Sequence, residues 1–485
     1  MSARPLPVST PAAQGVDASG VHAFLDAVEA APDIEPHSLM ILRHGRLVAS
    51  GWWAPYTEGR AHLLYSLSKS FTSTAAGFAV AEGLLDLDAP VLSYFPEFAD
   101  DIVDPRSRAM LVRHVAAMAS GHLAETFDTA IRNDRERPVR GFLLIPPDRD
   151  PGTVFAYNQP ATYSLAAIVQ RRSGQTLTDY LRPRLFDPLG IGEVAWHQHP
   201  RGSDLGFSGL HATTDAVARL GQLYLRKGVW EGRQLLSPEW VAEATRPHIA
   251  TSDGPVAAWG PDARRGYGFQ FWMSRHGYRG DGAYGQLCLV LPEQDAVIAL
   301  TSATGQSQEL LNLVWRHLLP AFTAAPLGGE GDDGLRRRLA ELALPPLTAP
   351  AGPPADAAAW RGARFTPAAD PGPDAPRRLA EVGLAAGAEG WTLTLHEKDT
   401  RFDLPFGPSG WTTAEGTVPM AVTAGWTDAG TLRADIVFLE TPHRLSVTCS
   451  LAAGTFTARW HTTPLRGSTL GSLYAPFPGR VPSSV

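Results

Sequence analysis

The sequence predicts a two-domain α+β protein in which a unit of mixed helices and strands precedes a smaller β domain. Its 485 residues exceed what a single hydrophobic core ordinarily organises. Segments with helical spacing and strand-like segments both occur up to about residue 320, whereas only short strand-like segments separated by turn residues follow about residue 355. We therefore place a first domain at residues 1–325, a Pro/Ala/Gly-rich linker at 326–355 and a β-rich domain at 356–485.

The elements of the first domain are predicted from local patterns. Pro160 suits the first turn of a helix, and Gly174 lies just past the last helical position. A His44-Gly45 pair between two strand-like runs favours a tight hairpin turn. The predicted elements are a hairpin at 37–53, helices at 66–85, 160–173 and 214–226, and strands at 287–291 and 296–302.

The second domain is predicted to be an antiparallel meander or small barrel. Four tryptophans of this region are expected in its core rather than as a platform for a ligand; they are Trp391, Trp411, Trp426 and Trp460. The strand-like runs are residues 391–397, 401–406, 418–426, 432–440, 444–451 and 455–463.

Composition and charge exclude several classes of function. The net charge of −7 is spread over both signs without a basic block, so no nucleic-acid partner is expected. No apolar run approaches the ~20 residues that cross a bilayer, and the first 20 residues lack the apolar core of a secretory signal, which predicts a cytoplasmic protein without a membrane partner. Cys288 and Cys449 predict buried free thiols. No clustered Cys/His spacing indicates a metal, and no cofactor is expected; a homo-oligomer is left open.

Lysine is scarce, which draws attention to Lys69. Of 42 basic residues only three are lysines, and the other two, Lys227 and Lys398, lie among polar neighbours. Lys69 instead lies in an apolar helical segment, where a desolvated lysine can release or accept a proton as arginine cannot. Ser66 is three positions earlier, on the same helical face, so the two side chains can meet. Ser66 is thus a candidate nucleophile and Lys69 its base, although Ser-x-x-Lys alone also fits an incidental lysine.

Two further segments can complement this pair. Tyr157 lies on a loop immediately before a predicted helix, where its phenol can enter a cleft and move a proton; the alternative is a half-buried tyrosine at a loop–helix junction. Residues 280–286, GDGAYGQ, match G-x-G-x-x-G, but the strand that follows excludes a dinucleotide site, which needs a helix there. A glycine-rich approach to a strand lets a ligand come close to the backbone, as an oxyanion hole requires.

The three motifs, in this order, resemble the serine β-lactamase family, which includes class C β-lactamases, carboxylesterases, D-aminopeptidases, nylon-oligomer hydrolases and penicillin-binding-protein-type thioesterases. The resemblance covers roughly residues 10–320 and extends to the segments 84–98, 112–122, 209–225 and 267–272. It implies the serine β-lactamase/DD-peptidase-like fold, an antiparallel sheet flanked by helices with an additional helical lobe. The C-terminal domain resembles the lipocalin-like β-barrel appendages of some members.

The resemblance also implies roles for individual residues. Ser66 would be the acylated nucleophile, Lys69 the base and Tyr157 a second proton carrier, and the backbone N–H groups of Ser66 and Ala283 would form the oxyanion hole. The implied activity is that of a serine hydrolase acting on a small ester or amide through an acyl-enzyme. Two alternatives stay open: an acyltransferase or peptide-cyclising thioesterase, and a catalytically inactive binding or scaffold protein.

Two motifs depart from the family pattern. Gln159 stands where Tyr-x-Asn would place asparagine, and Asn158 is the alternative amide if the loop shifts. Gly280-Asp281-Gly282 stands where Lys-Thr-Gly or His-x-Gly is usual, so the cation that commonly faces a substrate carboxylate is missing. We expect these five residues to contact substrate, activity on β-lactams to be weak or absent, and a neutral ester or amide to fit better. Asp281 is expected to be a solvated turn residue rather than a site for an amine.

Overall fold

The structure is a computed structural model that describes residues 5–347, 357–387, 390–398, 400–407, 410–465 and 468–480. Its helices are α1 (Ala18–Ala30), α2 (Ser68–Ala81), α3 (Pro105–Ala109), α4 (Val112–Ala116), α5 (Phe127–Asn133), α6 (Pro138–Leu143), α7 (Gln159–Ser173), α8 (Leu177–Leu181), α9 (Asp187–Leu189), α10 (Thr214–Leu225), α11 (Pro238–Ala244), α12 (Ser307–Leu313) and α13 (Asp332–Ala340).

The strands of the first domain are β1 (Ile34–Arg43), β2 (Arg46–Trp52), β3 (His62–Leu63), β4 (Ala195–Trp196), β5 (Leu210–Ala212), β6 (Val229–Trp230), β7 (Arg233–Gln234), β8 (Trp272–Met273), β9 (Tyr278–Gly282), β10 (Gln286–Leu291) and β11 (Ala296–Thr304). Those of the second domain are β12 (Arg364–Pro367), β13 (Leu379–Ala386), β14 (Trp391–Glu397), β15 (Thr400–Phe406), β16 (Thr412–Ala414), β17 (Met420–Asp428), β18 (Thr431–Phe438), β19 (Arg444–Ser450) and β20 (Thr455–Trp460).

An antiparallel sheet in the order β2-β1-β11-β10-β9-β8 forms the centre of the first domain. Because side chains alternate along a strand, each strand contributes to two cores. One core joins the sheet to α1, α12 and α13, and the other joins it to α2, α7 and α10. The first uses Leu39, Ile41, Leu287, Leu289 and Ile298, and the second uses Met40, Leu42, Cys288, Val290 and Val297. The predicted α+β fold is confirmed.

The helical lobe packs against the second face and brings α7 onto α2. The predicted helix at 66–85 begins as a 3₁₀ turn at Tyr65–Leu67 and continues as α2. The predicted helix at 160–173 is α7, and Gly174 ends it with a left-handed φ of 69°. The first turn of α2 therefore lies between the lobe and strands β9 and β8 at one side of the sheet, and these surfaces form a cleft.

The second domain is a nine-stranded sheet in the order β15-β14-β13-β12-β20-β19-β18-β17-β16, and β15 lies against β16, so the sheet is nearly closed into a barrel. All pairs are antiparallel except β12 with β20. The sequence analysis did not identify β12, β13 or β16. Trp426 and Trp460 are buried in the barrel as predicted, whereas Trp391 is half-buried. Trp411 packs on the first domain instead, and its Nε1 donates to the Leu344 carbonyl at 2.9 Å.

The segment predicted as a linker, 326–355, is partly a piece of the first domain. Helix α13 lies within it, and its Leu335 and Leu339 are buried in the same core as α1, together with Leu342 and Leu344. Leu335, Leu339 and Leu342 recur at helical spacing, so the sequence could have predicted this helix. The rest of the predicted linker, residues 348–356, lies outside the described residues.

The two domains share a packed interface. Val437 and Leu439 of the barrel are buried in the core that surrounds β1 and α1. Arg444 of the barrel pairs with Glu35 of β1 at 2.6 Å and with Asp435 at 2.6 Å. Along the described part of the chain, no helix has both the length and the apolar character needed to cross a membrane.

Cys288 and Cys449 are buried free thiols, as predicted. Burial raises the pKa of each thiol to about 12.

Candidate active site

Ser66 and Lys69 meet at the base of the cleft. The 3₁₀ turn places Ser66 directly before α2, and Lys69 lies one turn further along the chain. Lys69 Nζ donates to Ser66 Oγ at 3.0 Å, to Gln159 Oε1 at 2.6 Å and to the Phe207 carbonyl at 2.7 Å. Lys69 is only 1% exposed, whereas Ser66 is half-buried and lines the cleft. The lysine is therefore fixed in position and shielded, while the serine can be reached by a ligand.

Tyr157 is the third member of the cluster. Its ring centroid lies 4.8 Å from Lys69 Nζ, and the residue lines the cleft beside Ser66. The ring also stacks on Trp272 with centroids 5.5 Å apart. Burial raises the pKa of Tyr157 above its ordinary value and outweighs the hydrogen bond from Ser66, which lowers it. The phenol is consequently neutral near neutral pH and keeps a proton to donate.

The glycine-rich segment forms the facing wall of the cleft. Asp281, Gly282 and Ala283 line it beside Ser66. A Cβ at Gly282 would lie 2.2 Å from the Leu64 carbonyl oxygen and 3.1 Å from the Leu67 amide nitrogen. Only glycine lets β9 come this close to the turn that carries Ser66. The segment thus brings the Ala283 backbone to the same cleft as the nucleophile candidate.

Two residues predicted to contact substrate do not face the cleft. Asn158 is fully buried, and its Oδ1 accepts from the Thr126 backbone N–H and hydroxyl, both at 3.0 Å. A Cβ at Gly280 would meet Leu67 Cδ1 at 2.2 Å, so this residue packs on the start of α2. The first is turned away because its Oδ1 accepts from Thr126, and the second because the direction of its missing Cβ leads to the start of α2.

Asp281 is not the solvated turn residue that the sequence analysis expected. It lies in β9, its side chain is 19% exposed, and its Oδ2 accepts from Arg279 Nε at 2.7 Å. Arg279 is itself buried, and its Nη1 donates to the Met273 carbonyl and the Ser274 hydroxyl. Positions 279 and 281 share one face of the strand, which the period of two could have revealed. The pair makes this wall of the cleft close to neutral overall.

The cleft has a volume of about 860 Å³. Sequence reasoning did not identify several of its walls, which are Glu125, Trp259, Trp272, Arg279 and Leu465. Trp259 and Trp272 surround Tyr157 at 5.8 and 5.5 Å between ring centroids. Leu465 comes from the C-terminal domain, and no local pattern signals that it reaches the site. Within the described ranges, no group of three or more His, Cys, Asp or Glu side chains could hold a metal ion.

This fold, with a buried lysine bound to an accessible serine at the sheet edge, defines the class of β-lactamase-fold proteins. The family model described as Beta-lactamase matches residues 24–320, and the chain belongs to this family.

The relatives that the chain resembles include hydrolases of several kinds. It is 27% identical over 300 residues to the 6-aminohexanoate-dimer hydrolase of Paenarthrobacter ureafaciens, covering 56% of this chain and 75% of that protein. It is 30% identical over 194 residues to the lovastatin esterase of Penicillium rubens, covering 35% of this chain and about half, 48%, of that protein. Among solved structures, EstCE1, a hydrolase with promiscuous acyltransferase activity, has a TM-score of 0.51 at 18% identity; the match covers 64% of this chain and 100% of EstCE1, and it shows the common fold.

Proposed function

We propose that the protein is a serine hydrolase that forms an acyl-enzyme on Ser66 and cleaves a small, non-β-lactam ester or amide. The observation that carries the proposal is the contact of Ser66 Oγ with Lys69 Nζ at 3.0 Å, beside the Tyr157 ring, at the base of an accessible cleft. A serine hydroxyl is a weak nucleophile at its free pKa and needs an adjacent base, which this arrangement supplies.

The contacts support the following sequence of proton transfers. In the reactive state Lys69 is neutral: its two N–H groups donate to Gln159 and the Phe207 carbonyl, and its lone pair accepts from the Ser66 hydroxyl. Ser66 Oγ then attacks the carbonyl carbon as its proton passes to Lys69 Nζ, and a tetrahedral intermediate forms. Tyr157 donates its phenolic proton to the leaving oxygen or nitrogen, and Lys69 returns a proton to the phenolate. Water then attacks the acyl-Ser66 carbonyl, gives a proton to the same pair, and releases the acid and the free serine. The raised pKa of Tyr157 supports its role as the proton donor in the first half.

In this mechanism the backbone N–H groups of Ser66 and Ala283 stabilise the oxyanion. The close approach of Gly282 to residues 64 and 67 supports this assignment, since it holds the two amides on neighbouring walls of the cleft. Such donors act where negative charge develops and can contribute about 10²–10³-fold each to turnover.

The cleft favours a neutral, largely apolar acyl group. Most of the residues that line it are apolar, and Phe155, Trp259, Trp272 and Leu465 are the large side chains among them. The Arg279 guanidinium is buried and already bound to Asp281, so it is poorly placed to receive a substrate carboxylate. The names of two relatives, a dimer hydrolase and an esterase, agree with this amide or ester chemistry.

A fluorophosphonate probe tests the proposal directly. Wild type should gain one covalent adduct on Ser66, and Ser66→Ala should gain none. Wild type that has not been treated with the probe should hydrolyse p-nitrophenyl acetate, and it should turn over nitrocefin weakly or not at all. An unlabelled wild type would favour the inactive scaffold, and efficient nitrocefin turnover would refute the non-β-lactam assignment. Product analysis with an added amine or alcohol separates hydrolysis from acyl transfer.

A further inference from the structure

Two tyrosines flank the two backbone amides assigned to the oxyanion hole. Tyr65 immediately precedes Ser66, and Tyr284 immediately follows Ala283. Both have a left-handed backbone, with φ of 47° and 66°. Bulky residues adopt this conformation rarely, and it persists where surrounding contacts hold it in place. The conformation of these two residues sets the direction of the adjoining amides.

The C-terminal domain holds both tyrosines. The Tyr65 hydroxyl lies 2.6 Å from His443 Nε2, and the Tyr284 hydroxyl donates to the Thr463 carbonyl at 2.5 Å. The rings of Tyr65, Tyr284 and His443 also pack edge to face in a closed triangle, with centroids 5.4, 5.9 and 5.5 Å apart. Edge-to-face packing gives such a cluster a defined geometry. One histidine thus contacts the residues on both sides of the proposed oxyanion hole.

The direction of the His443 hydrogen bonds is fixed by its other partner. His443 Nδ1 lies 2.8 Å from the Thr462 carbonyl, which can only accept, so the imidazole proton is at Nδ1. Nε2 is then an acceptor, and the Tyr65 hydroxyl donates to it. Burial lowers the pKa of His443 to about 3, so the ring stays neutral and this arrangement persists.

The backbone that leads into Tyr65 is attached to the same domain. The Leu63 N–H donates to the Glu440 carbonyl at 2.8 Å, which fixes the chain three residues before Ser66. His443, Glu440 and Thr463 all belong to the chain segments that flank β19 and β20. These contacts lie on one surface of the barrel, which faces the 3₁₀ turn that carries Ser66.

We propose that His443 and Thr463 are positioning residues, through which the C-terminal domain fixes Tyr65 and Tyr284 and thereby aims the Ser66 and Ala283 amides. This inference rests on the proposed function, because it assigns a task to the amides of that site. Preorganised donors stabilise a developing oxyanion without reorganisation during the reaction. The barrel is accordingly part of the catalytic apparatus and more than an appended module.

Tyr65→Phe and Tyr284→Phe test the inference, since each removes one hydroxyl and keeps the ring. Tyr56→Phe is the matched control: its hydroxyl also donates to a carbonyl of the barrel, Thr441, at 3.3 Å, but it flanks neither amide. With p-nitrophenyl acetate, we expect kcat to fall about tenfold in each test variant while KM changes less than about threefold. The control should retain both constants.

Two substitutions of His443 separate positioning from packing. His443→Gln can place an amide oxygen near the Nε2 position and accept from Tyr65, whereas His443→Asn can reach only the Nδ1 position. Rescue of kcat by glutamine relative to asparagine supports the hydrogen bond to Tyr65 as the active contact. Equal kcat values in the two variants would overturn the proposed role of the hydrogen bond between Tyr65 and His443.

Hydrogen exchange distinguishes failure of the inference from failure of the proposed function. Peptides covering residues 60–70 and 280–287 should exchange faster in Tyr65→Phe and Tyr284→Phe than in Tyr56→Phe. If kcat and exchange in the test variants match those of the control, the inference is overturned. If the fluorophosphonate does not label wild type, the proposed function fails, and the exchange rates alone still decide whether the barrel positions these segments.

Discussion

Gly282→Ala is the most direct test of the geometry of the site. The added Cβ would lie 2.2 Å from the Leu64 carbonyl oxygen, whereas ordinary van der Waals contact begins at 3.4 Å. Strand β9 and the 3₁₀ turn that carries Ser66 must therefore separate by about 1.2 Å. Overpacking of this kind costs about 1–3 kcal/mol of folding free energy. A misplacement of about 1 Å in an active site costs on the order of 100-fold in rate. We therefore expect kcat to fall about 100-fold, much more than the loss of stability would explain.

The assay compares kcat and KM for p-nitrophenyl acetate with the free energy of unfolding in urea. Gly192→Ala is the control, because a Cβ there meets nothing within 4 Å and its φ is not left-handed. The control should keep wild-type kcat and stability. If Gly282→Ala is destabilised yet keeps kcat within about threefold of wild type, the Ala283 amide does not serve as an oxyanion donor, and the reasoning is refuted.

Three further predictions concern charge. Lys69→Met should lower kcat for p-nitrophenyl acetate by about 10³-fold with an unchanged circular dichroism spectrum, because it removes the base; a loss below about tenfold would contradict this. Arg444→Met should reduce the free energy of unfolding in urea by about 3–5 kcal/mol, since it leaves the buried Asp435 carboxylate and the half-buried Glu35 carboxylate without their cation, and a loss under about 1 kcal/mol would speak against this account. His443 has a folded pKa of about 3, below its ordinary 6.5, so its stabilising contribution is present above pH 6.5 and is lost as the pH falls towards 3. Between pH 6.5 and 5, the unfolding free energy of His443→Gln should therefore decline less steeply than that of wild type, by up to about 1.4 kcal/mol per pH unit, and equal slopes would exclude this contribution.

Local patterns predicted the central features of the candidate site. Ser66 and Lys69 are three residues apart on one helical segment, so their contact depends mainly on a helix forming there. The position of Tyr157 before α7 was likewise visible from Pro160 and from the helical spacing that follows. Features that depend on contacts between segments distant in sequence were predicted less well.

Asn158 and Leu465 illustrate the limit. Whether Asn158 or Gln159 faces the cleft depends on the contact of Asn158 with Thr126, which is 32 residues away. Leu465 reaches the cleft because the barrel docks on the first domain, and no residue near Leu465 in sequence encodes that docking. The Arg279–Asp281 pair could have been predicted from local sequence, because residues two apart on a strand lie on one face. The sequence analysis missed this pair because it placed Asp281 in a turn.

The absence of a cation at position 280 follows from how the strand packs. The direction from Gly280 to its missing Cβ leads to Leu67 Cδ1 at 2.2 Å and Ser70 Oγ at 2.8 Å, so a lysine or histidine there would displace the buried residue next to Ser66. The positive charge of this wall belongs to Arg279 instead, and its guanidinium is already bound by Asp281 and two further acceptors. A substrate carboxylate would have to break that ion pair inside a largely apolar cleft, where the loss of a partner costs more than in water. The small residue at position 280 therefore allows the close packing of β9 on α2, and the same feature agrees with the neutral acyl group that we propose.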